Sequence, residues 1–314
     1  MISVLFLSCK TNFDDALKSK NIELLKQEVE NDLAVGCYIQ ALKTSLIINK
    51  EDSLNQKNLY RLASLYAMKN NKDSSFYYLD KAIVSDSTPM ALCNPDYINL
   101  LNDTRWDQLK RNQIEKIKKK FKGFKNVEMT TKLWEMYIKD QAYYSLTEIQ
   151  NQKCRTIYMK DSLWNIKHKL NLENVADLEK MIRVNGWPKK SDVGKFASSA
   201  AFLIIQHADL EPQKKYLPLL EEAVLNEEAS PQAVALLSDR IKMYENKMQK
   251  YGSQIRIDEK SGKHYVFAVE DPAKINERRL SVGLDSIEKY AKRWNIIWNL
   301  EDQILINKQF MEVN

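Results

Sequence analysis

LYRLASLYAMKNNKDSSFYYLDKAI, residues 59–83, decides the fold class. Leu62, Ala63 and Tyr66 recur at the three- and four-residue steps of one helix face. Ser75, Leu79 and Ala82 do the same after the polar break KNNKD. Two amphipathic helices joined by so short a turn fold back on one another. Small side chains at Ala63 and Ala82 let the helices approach closely, while Leu62, Tyr66 and Leu79 fill the groove between them. The unit is an antiparallel helical hairpin.

Its spacing resembles a tetratricopeptide repeat, whose unit is about 34 residues. One period earlier lie Ala41, Ser45 and Ile48, inside CYIQALKTSLIIN, where the match is weaker. Such units bury their faces by stacking. Residues 14–120 therefore read as a short repeat-like array closed by NPDYINLLNDTRWDQLK (94–110), in which Tyr97, Leu100, Leu101, Trp106 and Leu109 pack a capping helix and loop. A plain helical spacer and a concave face that takes a protein or peptide both fit this pattern.

The rest of the chain agrees with a mainly helical fold. Only 7 Gly and 7 Pro occur in 314 residues, too few turn formers for an all-β protein. The formal net charge of +6 is mild. Its densest part, KRNQIEKIKKKFKGFKN (110–126), reads as a solvated helix face. No aromatic residues on strands accompany it, so no specific nucleic-acid partner is expected. Gly123 is the only glycine between Gly36 and Gly186, and the domain boundary is placed at 120–126, ahead of a second domain over 127–314.

MISVLFLSC (1–9) is a short apolar run ending in cysteine, like the tail of a bacterial lipoprotein signal, although the charged leading segment is missing. Either the start is clipped and Cys9 is the lipidation site, or the run is a first strand or helix turn. The first alternative implies a membrane-anchored lipoprotein, periplasmic or at the cell surface, touching the membrane only through its anchor. The second leaves a cytoplasmic location open. Cys37, Cys93 and Cys154 show neither metal-ligand nor disulfide-scaffold spacing.

In the second domain, Leu133, Met136, Tyr137, Gln141 and Tyr144 mark one helix, and Asn171 is a candidate cap for another carrying Val175, Leu178, Met181 and Ile182. NGWP (185–188) ends that helix. The next begins near Ser191 and places Phe196, Ala200, Leu203 or Ile204, and His207 along one apolar side. Ser230-Pro231 and Asp271-Pro272 are start signals, and Asp285 with Glu288 suggests a capping box. YGSQIRIDEKSGKHYVFAVED (251–271) reads as one β-hairpin over 254–269, with Ile255 and Ile257 alternating before the EKSG turn and Tyr265, Phe267 and Val269 after it.

The candidate chemistry is sparse. His207 is suited to general acid–base work near neutrality, with Asp209 or Asp239 as its orienting carboxylate. The plainer reading makes His207 a helix-end residue and Asp209 the cap of a helix with Pro212 in its first turn. Arg278 and Arg279 stand on adjacent helix positions, where one could clamp an anion or pair with Glu270, Asp271 or Glu277. Gln206, Tyr251 and Gln254 could line the same pocket or bridge the hairpin to a helix. His168, His207 and His264, the only histidines, have no metal-ligand spacing. No phosphate-binding glycine loop or nucleophile elbow occurs, so neither a metal nor a cofactor is expected.

The ordered string NGWP, VG (193–194), IIQHADLEPQ (204–213), LLSDRI (236–241), YGSQ (251–254), DP (271–272) and NERRLSVGL (276–284) resembles an uncharacterised bacterial family, a domain of unknown function found in Bacteroidetes and some actinobacteria. The likeness covers roughly residues 130 to 295. It picks out Gln206, His207, Asp209, Asp239, Arg240, Tyr251, Gly252, Gln254, Asn276, Arg278 and Arg279, with Ser253 where threonine is more usual. It implies a repeat-like amino-terminal region and an exported protein, and it brings no known reaction. The preferred reading is an exported binding or scaffold protein that contacts a protein or peptide through its repeat region. The alternative is a hydrolase or transferase working at a polar cleft around His207 and Arg278 or Arg279.

Overall fold

The computed structural model describes residues 21–120, 125–143 and 160–313; Cys9, Cys154 and most of the 121–126 segment lie outside them. The fold is mainly α-helical, with one two-stranded hairpin near its carboxy-terminal end. The chain divides into two compact units, Met1–Lys122 with Tyr137–Leu170, and Gly123–Met136 with Asn171–Asn314.

The first unit is built from helical hairpins. Its described helices are α1 (21–34), α2 (Tyr38–Glu51), α3 (Gln56–Met68), α4 (Lys72–Ala82), the single turn α5 (Met90–Cys93) and α6 (Thr104–Lys120), with a 3₁₀ turn at Pro95–Leu100. Asn55 and Asn71 cap α3 and α4 by accepting from the amides of Asn58 and Ser74. The left-handed Asn70 turns the chain between them. Ala63 and Ala82 are buried, and Ser75 Oγ donates to the Ala63 carbonyl at 2.8 Å across the close contact. Val29, Ala41, Leu42, Ile48, Leu62 and Leu65 form the core of this stack. Tyr97, Leu100, Trp106 and Leu109 are buried, and Leu101 is half-buried. Gln113 of α6 ties this segment down by donating to the carbonyls of Asp86 and Thr88 at 3.0 and 2.9 Å.

Next come α7 (Val127–Gln141) and α8 (Lys160–Asn185), of which the second unit takes the stretches up to Met136 and from Asn171 and the first unit the rest. The second unit continues through α9 (Lys190–Gln206), α10 (Leu210–Leu225) and α11 (Pro231–Tyr244). Asn171 is not a cap: α8 runs straight through it, because no Gly or Pro interrupts a stretch of good helix formers. The helix stops at Gly186, whose φ of 74° lets its amide reach the carbonyl of Ile182. Gly194 takes φ 80° and ψ 158° inside α9 and breaks its phase. Phe196, expected on the apolar side, is consequently exposed, while Ala197, Ala200, Ala201, Ile204 and Ile205 are buried.

Strands β1 (Ile255–Ile257) and β2 (His264–Val266) are shorter than the expected hairpin and pair antiparallel, Arg256 opposite Tyr265. The alternation also differs. Val266 to Val269 are all buried, since the chain leaves the strand and runs between helices. Val266 and Val269 pack on Ile275, Ile287 and Ala291. A 3₁₀ turn at Pro272–Lys274 leads into α12 (Ile275–Ser281), followed by α13 (Ile287–Lys292) and α14 (Leu300–Val313). Ser286, rather than Asp285, caps α13, and Asp285 pairs with Lys289 and Arg293 instead. No described helix is long and apolar enough to cross a membrane.

Candidate functional site

The loop 249–254 is the point on which the sequence motifs converge. It follows α11 and precedes β1, and its backbone amides turn toward Asp239 in the last turns of α11. Asp239 is fully buried. Its carboxylate accepts from the amides of Lys250 (2.7 Å), Tyr251 (3.0 Å) and Ser253 (3.0 Å). Burial pushes the carboxyl above the usual carboxylate range, and the three amides oppose that rise. Gly252 sits between the donors with φ of 65°, where a side chain would meet Ile275 and Ile287.

The arginines hold the same loop from the other side. Arg279 is buried, donates to the carbonyls of Tyr251 and Asp285, both at 2.6 Å, and lies 4.9 Å from the ring centre of Tyr290. Burial lowers its affinity for the proton, and the neighbouring Tyr290, Asp239 and Asp285 counter this. Arg278 donates to the carbonyls of Lys250 (2.8 Å), Asp271 (3.0 Å) and Glu270. In place of the ion pairs weighed for Arg278 and Arg279, both arginines bind backbone carbonyls. Asn276 bridges α12 to α13 by donating to Glu288 and accepting from the Ile287 amide.

Gln206 and Gln254 meet at Arg240. Arg240 donates to Gln254 Oε1 at 3.0 Å and to the Gln206 carbonyl at 2.7 Å, and both glutamine side chains reach the carbonyl of Leu236. The end of α9, the middle of α11 and the loop are therefore tied together. His207 is the half-buried C-cap of α9, its amide bound to the Leu203 carbonyl. Asp209 is exposed at the start of α10, and its side chain makes no capping bond there. The structure thus brings together Gln206, Asp239, Arg240, Tyr251, Gln254, Arg278 and Arg279 around one loop.

Other residues carry as much of this arrangement without having drawn attention as single letters. Gln249 is fully buried; it donates to the carbonyls of Gln254 and Phe267 and accepts from the Gln254 amide. Tyr290 donates to the Ser253 carbonyl at 2.6 Å. Gln213 donates to the carbonyls of Gln206 (3.2 Å) and Ala208 (2.8 Å), closing the end of α9 from α10. The signal for Gln213 was present in QHADLEPQ, where an amide stands one turn after the helix break.

Chemically, the loop cluster is held mainly by hydrogen bonds to backbone groups, and among the described residues the buried Gln206 Oε1 and Gln213 Oε1 accept none. Among the described residues, no group of three or more His, Cys, Asp or Glu is placed to hold a metal ion. A separate pocket of about 670 Å³ lies between the hairpin and α14. A model of a family of unknown function, DUF6624, matches residues 135–302, more than half of the chain. Comparison with curated proteins and with solved structures returns no match.

Proposed function

We propose that this chain, which belongs to the DUF6624 family of unknown function, is a binding protein: its helical hairpins receive a protein or peptide segment, and its family domain serves as a rigid scaffold. The observation that carries this reading is a group of tyrosines on α3 and α4. Tyr66 and Tyr78 stack with ring centres 5.6 Å apart and planes 5° from parallel. Tyr77 stands edge-on to Tyr78 at 5.0 Å and is 55% exposed, with the Lys81 ammonium 4.3 Å from its ring centre. Rings held by one another present apolar area and hydroxyls to a partner at little entropic cost. Lys81 beside them favours a segment with an acidic residue next to an apolar one.

The hairpin of α3 and α4, and the pattern one period earlier in α2, support a tetratricopeptide-like reading of residues 14–120. A hydrolase or transferase around His207 draws less support. Asp239 and Arg279 spend their polar atoms on backbone groups, and a buried group with satisfied bonds has little left for a substrate.

Selection of displayed random peptides on the full-length protein tests the proposal. Peptides should be recovered whose binding weakens by roughly tenfold or more in Tyr77→Ser and in Tyr66→Ser, a loss typical of an aromatic anchor. Peptides indifferent to both substitutions would refute the tyrosine face as the docking site. The anchored location belongs to the same proposal and rests on the run before Cys9. Metabolic labelling with an alkyne fatty acid should mark the wild type and not Cys9→Ser; equal labelling of the two rejects the anchor.

A further inference from the structure

The pocket between the hairpin and α14 has an apolar floor and a cationic edge. Phe267 and Phe310 meet edge to face at 5.2 Å and 83°, joining the end of the hairpin to the helix, and Tyr265 and Ile306 extend the apolar wall. Arg256 lies opposite Tyr265 in the strand pair, and its guanidinium carbon sits 4.9 Å from the ring centre of Phe267. Stacking of this kind fixes the guanidinium plane while leaving its N–H edge available. Lys263, just before β2, adds a second positive charge to the lining.

The one carboxylate in the lining, Asp258, stays anionic and opposes an anion, against the two cations Arg256 and Lys263. It accepts from the amide and the hydroxyl of Ser261 within the hairpin turn, and these bonds hold its carboxyl below the usual range. Among the described residues, neither Arg256 nor Lys263 forms an ion pair. The volume, about 670 Å³, is that of a small-molecule site.

We propose that this pocket binds a small amphipathic organic anion, with its carboxylate, sulfonate or phosphate on Arg256 and Lys263 and its aromatic or aliphatic body against Phe267, Phe310 and Tyr265. The hairpin side of the site lies within the family match, Ile306 and Phe310 follow it, and the site is independent of the tyrosine face on α3 and α4. Arg256 and Lys263 are exposed and outside the hydrogen-bond cluster of the loop, so replacing them leaves the fold intact.

The test is a fluorescence titration of the full-length protein with 1-anilinonaphthalene-8-sulfonate, compared with N-phenyl-1-naphthylamine, which has nearly the same rings and no charge. The expected result is saturable binding of one sulfonate probe, weakened by roughly tenfold in Arg256→Gln/Lys263→Gln. Binding of the neutral probe should change little in that variant. Phe310→Ala should weaken both probes, with the thermal midpoint of each protein recorded alongside. Sulfonate binding unchanged in the double variant, or no saturable binding by the wild type, overturns the proposal. Equal loss of the two probes in the double variant overturns it as well, because the cations would then not be reading the anion.

Discussion

Arg279 Nη1 donates to the Tyr251 carbonyl at 2.6 Å while Nε of the same guanidinium donates to Asp285 at 2.6 Å. One buried side chain thereby joins the loop before the hairpin to the turn between α12 and α13. Its planar fork suits two carbonyls on separate segments, and the Tyr290 ring supports its face. A lysine has neither the fork nor the stacking plane. Arg279→Lys and Arg279→Gln should each lose about 2 to 4 kcal/mol in urea unfolding, as buried charge-assisted hydrogen bonds do when one partner is removed. A loss under about 1 kcal/mol in both variants would show that the lock is dispensable.

Asp239 is the counterpart on α11. Asn in its place keeps the shape and one acceptor, but sets an NH₂ group against amides that need oxygen. Asp239→Asn should cost about 1 to 3 kcal/mol. The amides of Lys250, Tyr251 and Ser253 should exchange with solvent faster than in the wild type, more so than amides in the centre of α9. Unchanged exchange at those three positions would mean that the carboxylate does not hold the loop.

The hairpin of α3 and α4 was legible because its periodicity and its small residues act within one short segment, and local sequence dictates local packing. The Asn171 cap failed for a related reason. A cap residue in mid-helix looks the same in the sequence as one at a start, and only the continuous run of α8 decides between them. Gly194 misled in the other direction, since a glycine in a helical pattern does not announce a φ of 80° that rotates Phe196 outward. The motif residues were legible as a group. Their partners are backbone carbonyls and amides far along the chain, such as Leu236 for Gln206 and Tyr251 for Arg279, and side-chain identity does not encode these. The pocket at α14 was illegible because Phe267 and Phe310 are brought together by tertiary packing alone.

Lys167 supplies a pH-dependent stability. It is 2% exposed, its ammonium donates to the Asp140 carbonyl at 2.5 Å, and burial pulls its pKa from 10.5 down to about 8. The folded chain holds this proton less tightly than the unfolded chain. Between about 8 and 10.5 the unfolded state therefore binds more protons, and stability rises with pH. The contribution is complete above 10.5 and is lost as pH falls through about 8. Lys167→Met keeps the length of the chain and removes the titration. Urea unfolding at about pH 7, 9 and 10 should show the wild type gaining on Lys167→Met as pH rises. A constant difference across the three would mean that Lys167 titrates alike in both states.

Gly252 tests the loop from within. Its φ is 65°, and a Cβ placed there would come 2.7 Å from Ile275 Cδ1 and 3.1 Å from Ile287 Cδ1. Two penalties therefore add in Gly252→Ala: the left-handed backbone costs about 1 to 2 kcal/mol for a residue with a Cβ, and the overpacking costs about 1 to 3 kcal/mol. Only the second depends on Ile275. Ile275→Val removes the clashing methyl and should by itself cost about 1 kcal/mol. In the double variant, part of the Gly252→Ala loss should return, giving a coupling of about 1 kcal/mol or more in a thermodynamic cycle. Simple additivity would place the cost in the backbone and in the contact with Ile287, which Ile275→Val leaves in place. The close approach of the loop to Ile275 of α12 would then owe nothing to the missing side chain.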